Sequence, residues 1–101
     1  MNAQYHLAAI GDLAEAVAYY DAQEEGLGAR FANEVRTTVE KMARYPQAWA
    51  PMARGVRRCR TVRFPSGVFY QIRGDSILIL AILHLRRSPE TWVRRLDELG
   101  L

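Results

Sequence analysis

Cysteine is almost missing from this chain of 101 residues: Cys59 stands alone, no internal disulfide can form, and the cytoplasm is the expected compartment. Lysine is nearly as scarce, with Lys41 the single one among 14 basic side chains. Long apolar runs are lacking too. The longest, Ile77 to Leu83, falls far short of the roughly 20 residues a helix needs to cross a bilayer, so no membrane partner is expected. Met1-Asn2-Ala3-Gln4 shows no basic segment followed by an apolar one, and hence no secretion signal. His, Cys and carboxylate side chains nowhere recur at zinc-ligand spacing. Gly26 and Gly28 lack the rest of a phosphate-binding fingerprint. Neither a metal nor another cofactor is expected.

What is present describes one domain spanning residues 1–101. Half of the chain is hydrophobic and a quarter charged, the balance of an ordinary globular protein. The net charge of +3 hides an asymmetry. Residues 1–53 carry four basic side chains against seven acidic ones, whereas residues 54–101 carry ten against four, all ten being arginine. The second half therefore offers an attractive field to an anionic partner, nucleic acid or acidic peptide.

Gln4 to Leu7 is a candidate first strand. From about Gly11 the period becomes helical, with Ile10, Leu13, Val17 and Tyr20 recurring at three- and four-residue steps. Gly26-Leu27-Gly28 breaks that helix, and a second stripe follows in Leu27, Phe31, Val35, Val39 and Met42 until Pro46 stops it. So short a link predicts an antiparallel helical hairpin with both stripes on one core. Residues 46–55, with two prolines and a glycine, read as a loop. Val56–Phe64, Val68–Arg73 and Ser76–His84 read as three strands joined by turns at Pro65-Ser66-Gly67 and Gly74-Asp75, which makes an antiparallel meander. Ser88-Pro89-Glu90 opens a last helix that buries Trp92, Leu96 and Leu99. The predicted class is α+β in the order β-α-α-β-β-β-α.

That order joins several local strings: Asp12-Leu13, Glu15-Ala16 and Tyr19-Tyr20; Gly26-Leu27-Gly28, Arg30-Phe31 and Glu34-Val35; Val56-Arg57-Arg58; Arg63-Phe64-Pro65; Val68-Phe69-Tyr70; and Ile82, His84, Arg87, Pro89 and Trp92. In this order and at these spacings the chain resembles the RelE/ParE toxins of type II toxin–antitoxin systems, on the ParE-like, plasmid-stabilising side. The resemblance implies a helical hairpin packed on a small twisted antiparallel sheet. It also implies a ParD-like antitoxin whose C-terminal segment wraps the toxin in a higher-order hetero-oligomer, and DNA gyrase as target. RelE-like members instead cut messenger RNA on the ribosome, and a third possibility is a weakly toxic antitoxin-binding module.

RNA cleavage through a 2′-hydroxyl needs a proton acceptor, a proton donor and cations for the phosphate. By the resemblance, Arg58 and Arg60 stand where the ribonucleases carry strand lysines, and arginine stays protonated. Gly67 falls near a catalytic arginine, Arg86 near a phosphate-binding one, and Trp92 near the acid/base tyrosine of some members. The ribonuclease set therefore reads as absent, and no catalytic residue is assigned. His84 can change charge near neutral pH but reads as a structural group at a strand end, and His6, near the start, has no companion ligands for a metal. Cys59, flanked by Arg58 and Arg60, reads as core. The expected antitoxin- or target-binding surface is Arg57, Arg58, Arg60, Arg63, Arg86 and Arg87, with strand alternation setting Arg58 and Arg60 opposite Arg57 and Arg63. Tyr19 and Tyr20 are candidate antitoxin contacts on the hairpin.

Overall fold

In the computed structural model, which describes residues 1–101, the elements are β1 (Asn2–Tyr5), α1 (Leu7–Gln23), α2 (Leu27–Arg44), β2 (Arg57–Arg60), β3 (Ser66–Arg73), β4 (Ser76–His84) and α3 (Pro89–Leu99), with a 3-10 turn at Ala53–Gly55. This is the α+β order expected. The strands lie β1-β4-β3-β2; β2, β3 and β4 form the antiparallel meander, and β1 joins β4 in parallel, so the whole sheet is mixed.

Burial explains why β4 is apolar on both sides. The hairpin covers one face of the sheet, where Phe31, Val35, Val39 and Met42 of α2 and Ala9 of α1 meet Val68, Tyr70, Ile77 and Ile79. On the opposite face Trp92 and Leu96 of α3 pack on Val56, Phe69, Leu80 and Leu83. A strand covered on both faces needs no polar alternation. The register slips by one between Phe69, opposite Ala81, and Tyr70, opposite Ile79. Leu80 is the extra residue, and the bulge turns both Leu80 and Ala81 towards α3.

Two glycines make the hairpin close. Gly26 takes the left-handed conformation (φ 86°) between the helices. A Cβ on Gly28 would lie 2.5 Å from the Val17 carbonyl oxygen, so only glycine lets α2 approach α1 there. The Asp21 carboxylate accepts from the Gly26 and Gly28 amides at 3.1 and 3.0 Å, holding the link.

Several expectations need correction. The first strand is Asn2–Tyr5 rather than Gln4–Leu7, and its parallel pairing with β4 makes the sheet mixed rather than antiparallel. α1 starts at Leu7 rather than near Gly11, because His6 caps it: its Nδ1 accepts from the Ala8 amide at 3.1 Å. Ile10, placed on the buried stripe, is 48% exposed, and Ala9 takes the core position instead. The strand predicted over Val56–Phe64 stops at Arg60. There the Thr61 hydroxyl turns back on the Phe64 and Ser66 carbonyls (2.7 and 3.2 Å), so the turn precedes Ser66, and β3 begins at it.

Candidate functional site

The predicted basic set separates into three groups. Arg58 and Arg60 are exposed on the α3 side of β2, whereas Arg57 points the other way and is half-buried. The Arg57 guanidinium donates to the Trp49 carbonyl at 2.7 Å and so pins the loop of residues 46–55, as does the Tyr70 hydroxyl donating to the Pro46 carbonyl at 2.6 Å. Arg57 is thus committed within the fold. Arg63 sits in the turn beside α2, where its amide donates to the Glu34 carboxylate, and it borders a shallow groove with Arg30, Asn33 and Val62. It is on the hairpin flank, away from Arg58.

Arg58 and Arg87 come together. They line a small pocket of about 110 Å³ whose apolar walls include Met52, Phe69 and Trp92. The Arg58 stem lies over Gly67, where a Cβ would come within 2.9 Å of Arg58 Cδ. Gly67 supplies no charge; it supplies the space in which Arg58 lies flat on the sheet. Arg86 and Arg87 follow β4 in an exposed turn, and the Arg86 amide donates to His84 Nδ1 at 3.0 Å. None of Arg58, Arg60, Arg63, Arg86 and Arg87 has a carboxylate partner for its guanidinium, in contrast to Arg30, Arg36, Arg54 and Arg95.

The two tyrosines border a larger groove of about 420 Å³ between α1 and β4. Tyr20 is half-buried, its ring 5.0 Å from Phe31 and 4.9 Å from Phe64, and Tyr19 is 62% exposed with its ring edge-on to Tyr20 at 5.4 Å. Tyr20 is therefore mainly core and Tyr19 rim. His84 and Arg87 line this groove and the Arg58 pocket alike. Tyrosines and arginines, separate in sequence, thus edge one trench that bends round the free end of β4.

Asp12 lines the groove and is paired with Arg95 of α3, a partner the sequence reading did not single out. The Asp12 carboxylate takes the Arg95 guanidinium in a fork, at 2.5 and 2.8 Å, and accepts from the Ile82 amide at 2.9 Å; Arg95 also donates to the Leu80 carbonyl at 3.2 Å. β1 ends at Tyr5, opposite Ile79, so β4 beyond that point has an open edge, and this pair caps it. The hydrogen bond that Arg95 donates to Asp12 holds the Arg95 pKa above its ordinary value, outweighing burial. The one signal in the sequence was Asp12 itself, at the head of the hairpin string; its partner is 83 residues away.

Among groups that could carry reactions, Cys59 is buried and burial pushes its thiol pKa up, Lys41 opposing weakly. It is a core thiol, not an activated one. His6 is committed as the α1 cap. No group of three or more His, Cys, Asp or Glu side chains could hold a metal ion, and no helix is long and apolar enough to cross a membrane.

A family model for the ParE toxin of the type II toxin–antitoxin system parDE matches residues 3–89. The chain belongs to the ParE toxin family. Among solved structures, the chromosomal ParDE toxin–antitoxin system from P. aeruginosa contains a similar chain, with a TM-score of 0.74 and 19% identity over 83% of this chain and 95% of that one. Likeness at that identity speaks for the fold. No curated protein matches the sequence. The ParE match ends as α3 begins, so Trp92, Arg95 and Leu96, which close one face of the sheet and cap its edge, lie outside the matched stretch.

Proposed function

We propose that this ParE toxin acts in the cytoplasm by binding DNA gyrase and stalling its cleaved-DNA state, and that a ParD-like antitoxin neutralises it by laying an acidic C-terminal segment in the trench round β4. One observation carries the reading: Arg58, Arg60, Arg86 and Arg87 stand at one end of the sheet without intramolecular carboxylate partners. Uncompensated guanidinium groups favour a carboxylate- or phosphate-bearing partner. They remain charged throughout, so they bind anions without moving protons. A gyrase poison needs only such binding. An antitoxin segment over the same arginines would neutralise the field and shield Tyr19, and the two chains would form a toxin–antitoxin hetero-oligomer.

The test is a gyrase assay with purified chain, ATP and relaxed plasmid. The expected result is loss of supercoiling with accumulated linear DNA after denaturation, reversed by antitoxin. Undisturbed supercoiling at excess toxin would remove gyrase as the target.

A second reading rests on His84. It lines both pockets beside Arg58 and Arg87, and with Nδ1 accepting from Arg86 its Nε2 has no partner within the chain. Messenger cleavage on the ribosome would use this imidazole for proton transfer. That reading requires ribosome-dependent cuts abolished by His84→Ala.

A further inference from the structure

Helix α1 is apolar on the side that faces away from the protein. Leu7, Ile10, Gly11, Ala14, Ala18 and Ala22 are all exposed, Leu7 at 80% and Ile10 at 48%. At 100° per residue these six fall within an arc of roughly 120°, opposite Ala9, Leu13, Ala16 and Tyr20, which pack on the core. Asp21, at the C-terminal end, is the only charge in that arc. A surface helix ordinarily puts its charges there, as α2 does with Arg30, Arg36 and Glu40. Apolar surface on both sides of a helix marks one that is covered on both sides.

The charges around this face are arranged end to end. Asp21, Glu24 and Glu25 crowd the tip of the hairpin, where Arg30 offsets only Glu24. Arg44 and the Met1 ammonium, which donates to the Ala43 carbonyl at 2.7 Å, stand at its base, whereas Lys41 is turned to the Trp49 ring, 5.9 Å from its centre. A second copy of the chain, turned antiparallel about a two-fold axis near Ala14, places each acidic tip beside the partner's basic base, twice. It also opposes the two helix dipoles favourably. We infer that the exposed face of α1 is a self-association surface, on which two copies of the chain pair α1 against α1 antiparallel.

In that pairing Ala14 meets itself, Ile10 meets Ala18 of the second copy, and Leu7 reaches the turn of Asp21 and Ala22. Small side chains at the centre let the backbones come close, and Leu7 and Ile10 fill the ends. The 17 residues of α1 make a face about 25 Å long. That supplies less than the roughly 800 Å² per partner of a standard interface, so the dimer is weak and concentration-dependent. The surface lies on the side of the hairpin away from the sheet and leaves Arg58 and Arg87 open.

Sedimentation equilibrium on the purified full chain tests this. The wild type is expected to pass from monomer to dimer across the micromolar range. Ala14→Glu and Ala14→Lys, each placing like charges at the two-fold axis, should each weaken self-association at least tenfold without changing the circular dichroism spectrum. Mixing the two variants should restore dimers as a heterodimer. A wild type that stays monomeric, a dimer indifferent to Ala14→Glu, or failure of the mixed pair to recover would each overturn the inference. Loss of antitoxin affinity in Ala14→Glu with a monomeric wild type would give the face to the antitoxin instead. None of these results depends on whether gyrase is the target.

Discussion

Tyr70 joins two layers of the molecule through one side chain. Its ring is fully buried in the hairpin-side core, and its hydroxyl reaches the Pro46 carbonyl, tying down the loop between α2 and β2. Burial raises its pKa to about 12, with Arg57 pulling weakly the other way. An unfolded tyrosine ionises near pH 10, so between about pH 10 and 12 the folded chain holds a proton that the unfolded chain has lost. The stabilisation is complete below pH 10 and disappears as pH rises through 12, a loss of up to about 3 kcal/mol. Urea unfolding in mildly alkaline buffer and again at about pH 11 should show this fall in the wild type. Tyr70→Phe should lose about 1 kcal/mol at neutral pH and show a flatter alkaline decline. An equal decline in both would place the alkaline sensitivity elsewhere. Residues differ in how far the sequence announces such roles. Cys59 as core followed from its place in a strand. Arg57 looked like any surface arginine, because its acceptor is a backbone carbonyl, and backbone carbonyls carry no sequence signal.

At the scale of elements, α1, β4 and α3 meet at the Asp12–Arg95 pair. It is only partly exposed, at 11% for Asp12 and 21% for Arg95, and it caps the edge that β1 leaves open. Breaking such a pair from one side strands the other charge and the edge amide of Ile82. Asp12→Ala is therefore expected to cost about 3 kcal/mol, and Arg95→Ala a similar amount. The double variant should cost clearly less than the sum of the two, which a thermodynamic cycle by urea unfolding would measure. Strict additivity would mean that the two side chains act independently. The same elements mark where pattern reading succeeds and fails. The α2 stripe of Phe31, Val35, Val39 and Met42 was legible because a single face meets the core. α1 was legible as a helix but not in its start, since His6 is an unusual cap, nor in its phase at Ile10, since apolar residues on two faces leave the period ambiguous. β2 lost its end to Thr61, whose hydroxyl competes for carbonyls that a longer strand would use. The bulge at Leu80 left no trace in an unbroken apolar run. The parallel seat of β1 is a fact of topology that four residues cannot encode.

Over the whole molecule the charges are sorted by the fold as well as by the sequence. The asymmetry between the halves was legible, and the meander gathers part of it, Arg58, Arg60, Arg86 and Arg87, near one end of the sheet. What could not be read was the division of labour within the set: Arg57 bound to the Trp49 carbonyl, Arg63 carried round to the hairpin flank, and the two tyrosines brought to the same trench by the groove between α1 and β4. The sorting bears on how an antitoxin would be held. Arg58 and Arg60 lie on the same face of an edge strand and contact no carboxylate of their own chain, so replacing both should leave folding nearly unchanged. Reversing them together to Glu should weaken antitoxin binding at least tenfold and flatten its dependence on salt, both read by calorimetry at two ionic strengths. Arg57→Glu would instead lower stability, because it releases the loop over Tyr70. If the Arg58/Arg60 variant bound antitoxin with unchanged affinity, the partner would have to lie along the Tyr19 side of the trench alone. The unpaired arginines would then be left to the target.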